Sequence, residues 1–124
     1  MVNLPKFARS LRFAWKGLAV MFRHEQSFRL QLLAAAALMA LMVAFDVSRS
    51  EAALLFVVTT SVLVLELLNS AVERLVDLFK PRIHQYAEEI KDIMAGAVLV
   101  GSLGALAVGL LVFLPHVQAL LQKP

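Results

Sequence analysis

Four polar residues, Glu66, Asn69, Glu73 and Asp77, recur at intervals of three and four along the stretch LVLELLNSAVERLVD, which begins inside a long apolar run. At about 100° per residue these positions fall in one narrow sector of a helix, while Leu67, Leu68, Val72, Leu75 and Val76 cover the other faces. The polar row is about 16 Å long. A carboxylate near the middle of a membrane span costs about 2.5–3.5 kcal/mol on insertion scales, and it normally faces a bundle interior or a site. Glu25, just ahead of the first apolar run, and Lys91 with Asp92, at the opening of the last, reach the same depth. Carboxylates converging with a lysine suit a Mg2+–phosphate site, because Mg2+ is usually held by one or two carboxylates together with substrate phosphates. A buried carboxylate beside such a site can remove the proton from an attacking hydroxyl. Phosphoryl transfer needs little beyond this positioning and charge neutralisation.

The familiar soluble nucleotide-binding signatures are absent: the chain has no GxxxxGK[ST], no GxGxxG, and no HRD or DFG. An ATP site here has to be built from helices and side chains alone. Two other readings of the polar face compete with it. A small proton-coupled transporter would use Glu66 as an intramembrane carboxylate. A non-catalytic helical subunit would use the face to hold helices together.

The elements that must position these residues follow from composition. Of 124 residues, 60% are hydrophobic and 17% charged, and the mean hydropathy is +0.79. A chain this short cannot hide so much apolar surface in one water-soluble core, so it reads as a small all-α integral membrane protein of one domain, residues 1–124. There are no cysteines, which excludes disulfides and thiolate metal sites. The three histidines, at 24, 84 and 116, are too scattered for a His-based zinc site. Residues 5–24 form an amphipathic helix opened by Pro5. Phe7, Leu11, Leu18 and Phe22 lie on one stripe and Arg9, Arg12, Lys16 and Arg23 on another, with Trp15 suited to a bilayer boundary. A basic amphipathic helix ahead of an apolar span lies in the membrane surface.

Three apolar stretches follow, giving spans over about 30–45, 52–79 and 92–114. The first begins too late for a signal peptide and two more come after it. DVSRS (46–50) is a short polar turn. Pro81 disfavours helix at Lys80 and ends the second long helix, so that 80–92 links the last two spans. Gly101, Ala105 and Gly109 repeat every four residues, a small-residue stripe that lets another helix come close. Ten of the twelve Lys and Arg residues precede or open the first span, lie late in the second or belong to the 80–92 connection, against Arg49 and Lys123 on the other side. Positive charge marks the cytoplasmic side, so the N-terminus and that connection face the cytoplasm. Basic residues that flank spans in this way indicate topology, not nucleic-acid binding.

ELLNSAVERLVD followed by KDIMAGAVL, with WKGL (15–18) and HEQSFR (24–29) upstream, resembles the signature of the prokaryotic diacylglycerol kinase family, which includes undecaprenol kinases. The resemblance covers nearly the whole chain. It implies a homotrimer of three-span subunits in the bacterial cytoplasmic (inner) membrane, with active sites between protomers at the cytoplasmic face. There ATP, with Mg2+, would phosphorylate a lipid hydroxyl. Carried over residue by residue, it makes Glu66 the general base and Glu25 and Glu73 the metal-holding carboxylates. Lys6, Glu25, Asn69, Glu73, Asp77, His84, Lys91 and Asp92 would bind ATP, and Trp15, Glu66 and Ala95 would meet the lipid. The chain departs from diacylglycerol-phosphorylating members where Lys6 replaces an Arg and Phe13 a Tyr, and where RIHQY lacks a Glu-Tyr pair before the histidine. A lysine neutralises phosphate as a point charge without the planar fork, and a phenylalanine stacks without hydrogen-bonding. EQSFRLQ and GLLVFLP are similar to the undecaprenol branch, which favours undecaprenol over diacylglycerol as substrate.

Overall fold

The computed structural model describes residues 4–122, and the side chains of these apart from 80–85. All regular structure among them is helical. The first helix, α1, is Leu4–His24, α2 is Gln26–Ala44 and α3 is Arg49–Leu121. Glu25 alone separates α1 from α2. Its backbone is extended, with φ −104° and ψ 113°, and its side chain makes no capping hydrogen bond, so the carboxylate is left for other work. The end of α1 is tied down from the far side of this break. Arg29 Nη1 donates to the carbonyls of Phe22 at 3.3 Å and Arg23 at 3.2 Å, satisfying acceptors that a helix C-terminus leaves open.

Between α2 and α3 the chain reverses in four residues. The amide of Val47 donates to Met42 O at 3.2 Å and that of Asp46 to Val43 O at 3.3 Å, the pairing of a Schellman motif. Asp46 takes the left-handed position at φ 48°, where a short polar side chain is better tolerated than a branched one. Ser48 then opens α3 with a capping box: Glu51 N donates to Ser48 Oγ at 3.3 Å, and Ser48 N donates to Glu51 Oε2 at 2.8 Å.

Helical backbone is continuous through the 73 residues of α3, yet its two ends meet. Asp77 contacts Lys91, Leu65 lies against Gly101, and Glu51 approaches His116. These pairs share one antiparallel register, so α3 is two arms, Arg49–Phe79 and Tyr86–Leu121, folded together with the reversal between Asp77 and Lys91. The sequence predicts a non-helical connection over 80–92 beginning at Pro81. The structure instead keeps helical geometry there, compatible with a proline in the first turn of a helix that restarts at once. Helix also continues past Pro115 to Leu121. A membrane-spanning helix tolerates an internal proline because neighbouring groups take over the freed backbone.

Three segments, Gln26–Ala44, Arg49–Phe79 and Tyr86–Leu121, are long and apolar enough to cross a membrane. The two arms, at 31 and 36 residues, exceed the roughly 20 needed to span the hydrocarbon, so each projects well beyond it. Polarity is distributed inside out. Large apolar side chains such as Val43, Leu111 and Leu121 are 83%, 74% and 79% exposed, while Glu66, Asn69 and Ser70 are buried. Among the described residues the buried apolar set is only Met21, Phe28, Leu55, Val76, Ala87 and Val112. This is a multi-pass membrane fold whose outer faces are made for lipid or for other helices.

Candidate functional site

The polar face of the first arm is graded. Glu66 is 5% exposed and Asn69 9%, Glu73 is half-buried and Asp77 is exposed. Each level of this face has a hydrogen-bonded or ion-paired partner. At the buried end, Gln31 of α2 donates from Nε2 to Glu66 Oε2 at 3.2 Å. One turn on, Asn69 Nδ2 donates to Glu73 Oε1 at 3.2 Å. At the exposed end, Lys91 Nζ of the second arm pairs with Asp77 Oδ1. Glu25, in the break between α1 and α2, pairs with Arg74 Nη2 at 2.9 Å. Glu73 and Glu25 both lie close enough for their charges to act on Glu66.

The fold therefore brings Glu25, Glu66, Asn69, Glu73, Asp77 and Lys91 into one cluster. Trp15, Asp92 and Ala95 are exposed and stand apart from the pairs described above. Lys6 and Trp15 lie on α1, where Trp15 is 75% exposed, and α1 packs chiefly on α2. Asp92 and Ala95 are exposed on the second arm. His84 lies outside the residues whose side chains are described. Two members of the cluster are not among the residues that sequence pattern singles out: Gln31, an isolated amide in an apolar run, and Arg74, which reads as one more topological positive charge. The polar intrusion of Gln31 into an otherwise uncharged span was the available signal for the first. For Arg74 it was the adjacency to Glu73.

The buried end of the cluster opens onto an apolar cavity of about 650 Å³ between α2 and the two arms. Gln31 stands at one end of its lining. Leu38, Leu63, Ala105 and Gly109 line its length, and Phe45 and Phe113 stack edge-to-face at 5.7 Å towards the other end. Gly101 lets the arms approach, since a Cβ placed on it would come within 2.5 Å of Leu65 Cδ1. The site thus sets a cluster of carboxylates and cations beside an apolar compartment, with the Gln31–Glu66 pair linking the two.

The donor chemistry suits a hard divalent cation. Among the described residues no three His, Cys, Asp or Glu side chains form a ready-made cage. Mg2+ does not need one: it keeps few protein ligands and shares the rest of its shell between phosphate and water. Glu25 and Glu73 fit that partial role. Both are accessible from the exposed side, and both carry partners, Arg74 and Asn69, that an incoming ion could displace or reorient.

Comparison with known proteins agrees in extent and kind. A sequence model described as prokaryotic diacylglycerol kinase matches residues 12–113. The chain is 35% identical over 113 residues to a protein of Bacillus subtilis named undecaprenol kinase, covering 91% of this chain and 92% of that one. It is 32% identical over 118 residues to a diacylglycerol kinase of Synechocystis sp., covering 94% of this chain and 67% of its relative. A diacylglycerol kinase of Escherichia coli is 32% identical over 103 residues, covering 79% and 83%.

Proposed function

This chain belongs to the prokaryotic diacylglycerol kinase family and is a lipid kinase, and from that premise we propose that it transfers the γ-phosphoryl group of ATP to the hydroxyl of a membrane lipid alcohol, with undecaprenol preferred to diacylglycerol. The observation that carries this reading is the position of Glu66, a buried carboxylate in the charged row whose hydrogen-bond partner, Gln31, lines an apolar cavity. The lipid's tail lies along the cavity and its hydroxyl reaches Glu66. The hydroxyl oxygen attacks the γ-phosphorus while its proton passes to Glu66. The bond from the γ-phosphorus to the bridging oxygen breaks, and ADP leaves with that electron pair. Glu66 later returns its proton to solvent or product.

Glu25 and Glu73 are the residues that would hold Mg2+, which when bound supplies charge neutralisation on the phosphate oxygens. Asn69 fixes the orientation of Glu73, and Lys91 with Asp77 forms the outer wall. Lys6, His84 and Asp92 complete the nucleotide side, and Trp15 and Ala95 the lipid side, as parts of an assembled site. That site lies between neighbouring protomers of a homotrimer, as the family resemblance implies. The N-terminus and the cluster face the cytoplasm, because ten of the twelve Lys and Arg residues fall on that side. The preference for undecaprenol rests on the EQSFRLQ and GLLVFLP segments and on the 35% identity to an undecaprenol kinase.

The test follows labelled γ-phosphate from ATP into lipid, with purified protein in mixed micelles containing Mg2+ and either undecaprenol or diacylglycerol. Label is expected in both, with a higher kcat/KM for undecaprenol. Glu66→Gln, which keeps shape and loses the base, is expected to abolish transfer while the protein stays folded and inserted. Near-normal turnover in that variant would remove Glu66 from its role, and a higher kcat/KM for diacylglycerol would reverse the lipid preference.

A further inference from the structure

We infer that Gln31 is the positioning residue for Glu66, holding one carboxylate oxygen so that the other is presented to the lipid hydroxyl. This rests on the reading of Glu66 as the base. The two residues are 35 positions apart and come from different helices, so their bond at 3.2 Å is created by the packing of α2 on α3. It is the side-chain hydrogen bond to Glu66 found among the described residues. A glutamate has three rotatable bonds and two equivalent oxygens, and a base so free would meet the hydroxyl in many wrong orientations. Pinning Oε2 removes that freedom.

Three further observations favour the assignment. Gln31 lines the apolar cavity, so the amide sits where tail compartment and base meet. Its other polar atom, Oε1, is buried without a partner among the described residues. Buried acceptors are seldom left so in native proteins, and the bond this amide does make is the one to Glu66. With Glu66 ionised, as a base must be, only the donor orientation pairs, because the flipped amide would set a carbonyl against a carboxylate. Finally, the donor is neutral. A lysine or arginine in this position would hold Glu66 as a carboxylate so strongly that it would resist taking a proton. A neutral amide orients the base through one hydrogen bond without placing a full opposite charge beside it.

The test replaces Gln31 with Met, which has similar length and volume but no donor, and measures kcat and KM separately for lipid and for ATP with Mg2+. Expected is a fall in kcat of about tenfold, the usual consequence of losing a hydrogen bond to a charged group. KM for ATP stays within about twofold and thermal melting in detergent is unchanged. Gln31→Leu, a residue fully at home in a membrane helix, serves if the Met variant does not accumulate. An unchanged kcat overturns the inference. So does a loss of kcat matched by lowered melting and raised KM for both substrates, since that pattern is structural. Glu66→Gln is run alongside. If it retains turnover, the reading of the base fails; if it is inactive while Gln31→Met is fully active, only the role of Gln31 fails.

Discussion

At the scale of single residues, the pair Arg74–Glu25 separates stability from function. The arginine side chain is half exposed, and ion pairs of that kind contribute about 0–1 kcal/mol. Arg74→Ala should therefore leave melting nearly unchanged. If Glu25 is a metal-holding carboxylate, the same substitution releases it from a competing cation, and half-saturation by Mg2+ in the kinase assay should fall severalfold. An unaltered Mg2+ titration would argue that Glu25 serves only the fold. The role of Arg74 could not be read from the chain, because it depends on how far α2 slides along α3. The row Glu66, Asn69, Glu73 and Asp77 was legible, since all four residues share one helix and periodicity alone aligns them. Gln31 illustrates the same limit as Arg74. Its polarity in an apolar run is visible, but its partner is set by packing across 35 residues.

At the scale of elements, the turn between α2 and α3 gathers several local devices into four residues. Ser48→Ala removes the acceptor of the capping box and should lower stability by about 1 kcal/mol. Asp46→Val puts a branched side chain at φ 48° and should cost about 1–2 kcal/mol. Melting in a fixed detergent measures both, and no effect from either would show that the turn follows from helix packing instead of directing it. The polar DVSRS segment marks this turn in the sequence. The helical passage through 80–92 is less visible, because a proline reads equally as the end of one helix or the start of another. Gly101 gives the corresponding handle between the arms. Gly101→Ala should be mild, because the atom it meets is the mobile end of Leu65. Gly101→Val, larger and stiffer, should part the arms and lower both stability and turnover.

At the scale of the whole molecule, the small buried apolar set cannot by itself hold three helices together. Stability must then draw on what covers exposed side chains such as Val43, Leu111 and Leu121, lipid or, in the proposed trimer, neighbouring chains. Chemical cross-linking in mild detergent is expected to give dimers and trimers and nothing larger; a monomer throughout would refute the proposed homotrimer. The exposure gradient along the first arm also bears on a reaction that such a kinase must avoid. Any enzyme that activates ATP risks handing the phosphoryl group to water. In the proposed site the carboxylates of the wet end are engaged by Arg74, Asn69 and Lys91, while the proposed base, Glu66, is buried. If that reading holds, the separation is what suppresses wasteful ATP hydrolysis. Leu63→Ser, which would admit water to the cavity beside Glu66, should raise phosphate release in the absence of lipid. The chain's choice between kinase and ATPase would then be set by a few ångströms of dryness.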